Sequence, residues 1–371
     1  MDEPARKRYV SMGISLITAI VGGIVFKLLH LPIPWLLGPM VFVLIGSNVF
    51  KGSYQWSGQI RNGAMIVVGY TIGLSMTAAA LKEMSYQLPA MLLMNVLLLL
   101  VCSAIAFIVS KLSDTDFNTA LLGSMPGGLT QMVLLAEESE GVDLTVVTVT
   151  QVIRLIIIIV CIPMLVFSPI FGQTHSAVPA AQALTGSAAG WSGSVTNLLV
   201  FAVVCVICAV GGTKIKFPTA FLLGPIIGTA ALQLCGLQGP TLPTFVINAV
   251  QLAIGVNVGL MLKPGKLARK GRIISLAVAS GLALMLGAWG LSELLTLLHP
   301  VSRATSLLSL APGGADQMGI IAHEIHADLS MVAGYQLFRA FFILFAVPPL
   351  IRMLFRLQHK RKSGAEALKQ N

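Results

Sequence analysis

Two arginines lie inside otherwise apolar runs, Arg154 in "QVIRLIIIIV" (Gln151 to Val160) and Arg339 in "YQLFRAFFILF" (Tyr335 to Phe345). A guanidinium in hydrocarbon is costly, so each must face the protein interior and meet a partner or a ligand there. Gln151 and Gln336 precede the arginines by three residues, which puts amide and guanidinium on one helix face. The planar guanidinium fork matches a carboxylate or phosphate. Each arginine follows an aspartate, Asp143 or Asp328, by 11 residues. At 1.5 Å per residue that spacing places it about 16 Å along its helix, near the midplane of a bilayer. Two roles stay open: an ion pair with Glu138 or Glu324 that pins a neighbouring segment, or a clamp for an anion. Both hold if the pair rearranges on loading.

The segments that carry those glutamates are themselves unusual. "SMPGGLTQMVLLAEE" (Ser124 to Glu138) and "LAPGGADQMGIIAHE" (Leu310 to Glu324) both break an apolar run with Pro-Gly-Gly. Proline removes an N–H and glycine turns without steric penalty, so a helix stops at each. Irregular backbone at membrane depth must be buried in protein or line a wet cavity. Thr130 and Asp316 follow as N-cap candidates for a second half-helix, whose free N–H groups and positive dipole end favour an anionic group. Gly127, Gly128, Gly313 and Gly314 then shape two tips, and Thr130, Gln131, Asp316 and Gln317 contact substrate or coupling ion. Asp316 faces only Thr130 in the other copy; it is either a proton or cation site or a stronger helix cap.

The elements that position these residues are membrane helices. Of 371 residues 56% are hydrophobic and 10% charged, with a mean hydropathy of +0.88. Too little charged surface remains for a soluble domain of this size. The net charge of +10 is spread over short loops and the termini, as in "RKR" (Arg6 to Arg8), "KPGKLARKGR" (Lys263 to Arg272) and "HKRK" (His359 to Lys362). That distribution is the positive-inside pattern, and it argues against nucleic acid as a partner. The apolar stretch from Val10 to Leu29 reads as a first span rather than a signal peptide, since no small-residue cleavage site follows.

A shift of 186 positions aligns Pro32 with Pro218, Leu37-Gly38-Pro39 with Leu223-Gly224-Pro225, and Asn62 with Asn248. It also aligns Gly69 with Gly255, Gly73 with Gly259, the two Pro-Gly-Gly triplets, Gln131-Met132 with Gln317-Met318, and Glu138 with Glu324. An offset one shorter continues through Asp143 with Asp328, Gln151 with Gln336, Arg154 with Arg339 and Pro163 with Pro348. The chain is a duplicated unit. Spans fall at about 10–29, 33–50, 62–80, 88–110 and 144–170, then 195–213, 217–236, 245–262, 273–298 and 328–352. If each Pro-Gly-Gly segment also crosses, the halves are parallel and the five basic residues from Lys263 to Arg272 fall outside. If it enters and leaves on one side, those residues and Lys51, Arg61, Lys111, Lys214 and Lys216 all fall inside, while the loop from Phe171 to Gly190, free of Lys and Arg, falls outside. The charge rule selects the second arrangement. The expected fold is therefore an all-α polytopic membrane protein of two inverted repeats, each with five spans and one re-entrant hairpin, a broken spanning helix being the alternative. Residues 1–170 form the first repeat, 171–194 an extracytoplasmic linker, 195–355 the second repeat and 356–371 a basic cytoplasmic tail.

Weaker signals read as structural. Cys205 and Cys208 have C-x-x-C spacing without partner histidines and are expected to pack helices. The Gly-x3-Gly pairs suit close helix approach, the Gly-Pro pairs kink the second spans, and Asn62 and Asn248 face a cavity or cap helices. "HEIH" (His323 to His326) lacks histidines in the other copy and metal-ligand spacing, so no metal or cofactor is expected.

The paired "PGG-x-x-QM", the paired "LGP" and the "Q-x-x-R" helices resemble the AbrB-duplication family of bacterial integral membrane proteins, over nearly the whole chain. Its members carry labels such as "AbrB family transcriptional regulator" and "ammonia monooxygenase", and the family is distinct from the small soluble DNA-binding AbrB. The resemblance implies a multi-spanning protein, plausibly a transporter, without an established substrate or site. Six histidines without ligand spacing do not make a monooxygenase centre, and no soluble recognition element is present for a transcription factor. The expectation is a non-enzymatic secondary transporter of a small anionic organic solute, coupled to H⁺ or Na⁺, in the bacterial inner membrane with both termini cytoplasmic. Its partners are solute, ion and lipid, and a homodimer stays open. A solute sensor acting indirectly on gene expression and a channel are the competing readings.

Overall fold

Long runs of Leu, Ile, Val, Ala and Met, punctuated by Ser, Thr and Asp caps, dictate helices, and regular structure among the described residues is helical throughout. The computed structural model describes the chain except residues 1–2, 32, 51–52, 114, 128–131, 133–134, 138, 140, 169–194, 216, 218, 262–270, 348 and 350–371. The first half contains α1 (Glu3–Leu28), α2 (Pro34–Val49), α3 (Gly58–Ser75), α4 (Ala78–Leu112), α5 (Phe117–Ser124) and α6 (Leu144–Val166). The second contains α7 (Val195–Lys214), α8 (Ala220–Leu234), α9 (Thr244–Met261), α10 (Gly271–Leu298), α11 (Arg303–Leu310) and α12 (Ala315–Glu324). Then comes α13 (Leu329–Val347).

Among the described residues seven helices are long and apolar enough to cross a membrane: α1, α4, α6, α7, α9, α10 and α13. The apolar α2 and α8 are shorter, at 16 and 15 residues. Large apolar side chains stand exposed along single faces, such as Leu93, Leu100 and Phe107 of α4 and Val203 and Ile207 of α7. A bilayer is the solvent such faces require. The protein is an all-helical polytopic membrane protein.

Two helix boundaries differ from the expected spans. The third helix runs Gly58–Ser75 rather than 62–80, because Ser57 caps its start by accepting from Gln59 N (3.3 Å). The fourth begins at Ala78 rather than 88, where Thr77 Oγ1 accepts from Ala80 N (3.2 Å). Its 35 residues make it about 52 Å long, well beyond a hydrocarbon core of about 30 Å. Hydropathy alone hid that first part, since Lys82 and Glu83 lie in it.

Packing exploits the duplicated glycines. A Cβ on Gly22 would lie 2.5 Å from Gly38 O, so α1 and α2 touch backbone to backbone. In the second half Gly224 meets Cys208 O at the same distance. Cys208 stands where the first copy has Gly22, and Cys205 is buried with Sγ 3.3 Å from Thr229 Oγ1, so both thiols sit in helix contacts. Each half's third helix packs on the other half's second helix. A Cβ on Gly69 would lie 2.5 Å from Leu222 O, and one on Gly255 2.5 Å from Leu36 O. The residues that begin α2 and α8, Ile33 and Thr219, are matched too, both at φ 47, a left-handed backbone rare for β-branched side chains. The largest buried cluster draws on both halves, with Leu36, Met40, Val68 and Ile158 against Leu222, Ile226, Ile254 and Met318.

Candidate functional site

Each Pro-Gly-Gly segment begins with a capped two-turn helix. Asp116 accepts from Asn118 N (3.1 Å) at α5, and Ser302 accepts from Thr305 N (3.1 Å) at α11. Both helices stop identically. Met125 and Ala311 close the last turns, and Gly127 N and Gly313 N then donate back to Met125 O and Ala311 O (2.8 Å each) around the prolines. Pro126 and Pro312 have no N–H to give Leu122 O and Leu308 O, while Met125 O and Ala311 O, each bonded once in the turn, can accept a second bond.

Those carbonyls are what the paired Gln and Arg bind. Gln151 Nε2 donates to Leu122 O (2.7 Å) and Met125 O (3.1 Å), and Gln336 Nε2 donates to Leu308 O (2.7 Å) and Ala311 O (3.1 Å). Arg154 donates to Met125 O, to Gly127 O (3.4 Å) and to Gln151 Oε1 (2.6 Å). Arg339 donates to Leu310 O (3.2 Å), Ala311 O (2.8 Å), Gly313 O (3.1 Å) and Gln336 Oε1. All four side chains are buried. Each guanidinium thus caps the negative end of a half-helix, a favourable dipole interaction that also satisfies orphan carbonyls.

Of the two roles left open for Arg339, an ion pair with Glu324 is not among the described contacts. Glu324 Oε1 accepts from Gln251 Nε2 of α9 (2.7 Å), tying the end of α12 to the other side of the core. Glu138 lies outside the described residues, as do Gly128, Thr130 and Gln131. The hydrogen-bond partners described for both arginines are neutral. Yet the two guanidiniums lie close enough to act on each other electrostatically, and both act on buried Cys102 of α4. One buried cation from each half thus lies in the neighbourhood of Cys102.

The remaining tip residues divide by role. A Cβ on Gly127 or Gly313 would meet Met132 Cε (2.5 Å) or Met318 Cε (2.6 Å), so bare glycine lets a buried methionine close under each tip. Gln317 Oε1 accepts from Gly314 N (3.3 Å), folding the side chain into a helix cap rather than into open space. Asp316, in the first turn of α12, is half-buried beside Gly314 and interacts with Arg61 of α3. Asp143 and Asp328 are N-caps: Asp143 Oδ1 accepts from Thr145 N (2.9 Å) and Asp328 Oδ1 from Met331 N (3.0 Å). His323 lies in the last turn of α12 beside a largely apolar cleft of about 310 Å³ lined also by Val68, Ile72 and Val250.

A second cleft escaped the sequence reading. About 320 Å³ lies between the ends of α4, α5, α6 and α10, lined by hydroxyls of Ser113, Thr115, Ser124, Thr150 and Ser280. A Cβ on Gly281, next to Ser280, would lie 3.6 Å from Arg154 Cα, so the cleft runs beside the arginine helix. Searching the duplication for identical residues could not reveal it. The signal was in positions where the copies differ.

Backbone-bound arginines, broken helices and lipid-facing spans define a duplicated, multi-pass membrane protein. The family described as "Transition state regulatory protein AbrB" matches residues 35–355, and the chain belongs to that family. It is similar to "Putative regulator AbrB" of Escherichia coli (strain K12), 28% identical with 95% of this chain and 98% of that protein covered. It is also similar to "Uncharacterized protein YhjN" of Bacillus subtilis (strain 168), 25% identical with 94% of each covered.

Proposed function

We propose that the protein is a secondary active transporter of a small anionic organic solute, coupled to H⁺ or Na⁺, with its site between the two Pro-Gly-Gly tips. The observation that carries this reading is that each half contributes one buried cation, Arg154 and Arg339, whose described partners are all neutral. Buried cations at membrane depth favour an anionic partner. The inverted-repeat reading is supported by Asp143 N donating to Thr119 Oγ1 (3.1 Å) and Asp328 N to Thr305 Oγ1 (3.3 Å). In each copy the residue that ends the broken segment thereby lies beside the first turn that began it, as a segment entering and leaving on one face requires. The basic loops support cytoplasmic termini and an inner-membrane location. The chemistry needs no enzyme.

The test begins with purified protein and a panel of mono-, di- and tricarboxylates and inorganic phosphate, with and without Na⁺, scored by thermal shift. A stabilising anion is then offered to proteoliposomes under imposed proton and sodium gradients. Accumulation against its own gradient is expected. Binding without flux under any gradient would instead favour a membrane sensor, the reading to which the name of the Escherichia coli relative points. Flux that never runs uphill would identify a channel.

A further inference from the structure

The two copies carry opposite chemistry at the same place. Around α5, the cleft is lined by Ser124, Thr150, Ala277, Ser280, Val109 and Val146. The repeat offsets map these onto Leu310, Tyr335, Met91, Met94, Leu295 and Met331. Those six form one buried apolar cluster around α11. Ser124, Thr150, Ala277 and Ser280 thus each have a bulky apolar counterpart in a filled cluster. The register is secure in the helices concerned, since Val101 of α4 and its equivalent Gly287 of α10 meet each other directly.

Buried polar atoms without a described partner occur in both places, Tyr335 Oη in the apolar cluster and Ser124 Oγ at the cleft. Ser124 is 5% exposed, lines the cleft, and its Oγ has no hydrogen-bond partner described. Arg154 Nε, on the neighbouring helix, is likewise buried without one. Such groups cost free energy unless a ligand or water completes them. Ser113, Thr115 and Ser280 donate to main-chain carbonyls, which leaves Ser124 Oγ and Arg154 Nε as buried donors suited to a carboxylate or similar oxyanion.

We propose that the hydroxyl-lined cleft is the solute's entry path to Arg154 from the end of the molecule that carries Lys111, and that the Met-Leu-Tyr cluster is an apolar gate sealing the equivalent path at the opposite end. This rests on the solute site lying at the two arginines. Access is then built unequally into the two copies. The cleft as it stands has room for water, and only small Ser, Thr and Ala side chains need shift to pass an anion, whereas passage at the other end requires Tyr335 and its methionine neighbours to move apart.

Cysteine accessibility tests this without any transport assay. In a variant whose five native cysteines are replaced, single cysteines are placed at Ser113, Ser124, Thr150 or Ser280, and at Met91, Met94, Leu295 or Met331. A charged, membrane-impermeant thiol reagent is applied to right-side-out and inverted vesicles. Cleft positions should react about tenfold or more faster than gate positions, because thiol reactivity follows exposure, and only from the face bearing Lys111. Equal reactivity of the two sets, reaction from the opposite face, or protected cleft positions would overturn the proposal. Tyr335→Thr with Leu310→Ser, which gives the gate its counterparts' residues, should make Met94→Cys reactive from the far side; continued protection would count against a gate. If these patterns hold while no anion is transported, the transporter reading fails and the one-sided cleft stands.

Discussion

A Cβ on Gly287 of α10 would lie 2.6 Å from Val101 Cγ1 of α4, and these two residues are each other's equivalents in the duplication. The long helices of the two halves therefore cross at a point that the repeat maps onto itself. Around that crossing lie Leu98, Cys102 and Leu284, packed without polar interruption. Gly287→Val should force the helices apart. A bulky insertion into packed core costs about 1–3 kcal/mol, read as a lowered apparent Tm in detergent, while Gly290→Ala, with open space at its Cβ position, should leave Tm unchanged.

The second prediction concerns the arginines. Arg339→Lys keeps the charge and loses the fork that spans Ala311 O and Gly313 O. Transport of the stabilising anion should show KM raised about tenfold, equivalent to about 1.4 kcal/mol, with expression and Tm nearly retained. An unchanged KM would remove Arg339 from the solute site.

Gln336 separates scaffold from site. Gln336→Leu strands the carbonyl of Leu308, worth about 1–3 kcal/mol when buried and unpaired, while Ala311 O keeps Gly313 N and Arg339. The expected result is a lower Tm and increased proteolysis at the Pro-Gly-Gly turn, with the same effect from Gln151→Leu. A stable Gln336→Leu protein would show that the cap is dispensable.

Asp316 carries the asymmetry between the tips. If it binds the coupling ion, Asp316→Asn should leave anion binding by thermal shift intact while abolishing accumulation driven by a gradient. The structure gives the N-cap of α12 to Gly314 and places Asp316 inside the first turn, so if Asp316 serves only the helix dipole there, Asp316→Asn should lower Tm slightly and leave accumulation intact. Proteoliposome flux under a fixed gradient distinguishes the two.

Cys205→Ser should be tolerated, with Tm unchanged, since a hydroxyl can keep the contact to Thr229 Oγ1. That makes the cysteine-free background practical. Loss of folding in Cys205→Ser would show that the thiol packs more tightly than its 3.3 Å neighbour implies.

Much was legible before any coordinates. Hydropathy and charge identify a multi-pass protein, and the 186-residue offset picks out Arg154 with Arg339 and both Pro-Gly-Gly breaks. These are local or periodic properties, carried by residue type and spacing alone. The start of α4 was missed because its first turns project beyond the apolar run, where only the Thr77 cap marks a helix. Gln317 was read as a ligand contact because a polar residue after a broken helix serves either use, and only backbone geometry shows it bonded to Gly314 N.

By itself, then, the sequence determined the solvent, the helices, the duplication and the positions of two costly arginines. Only the tertiary structure decided what those arginines bind. Their described partners are main-chain carbonyls set free by a turn, a class of acceptor that every residue possesses and no motif advertises. It likewise decided that hydroxyl-bearing residues line a cleft around α5 while their repeat equivalents around α11 form an apolar cluster. Ser124, Thr150 and Ser280 are up to 156 residues apart and become neighbours only when α10 packs across α4, α5 and α6.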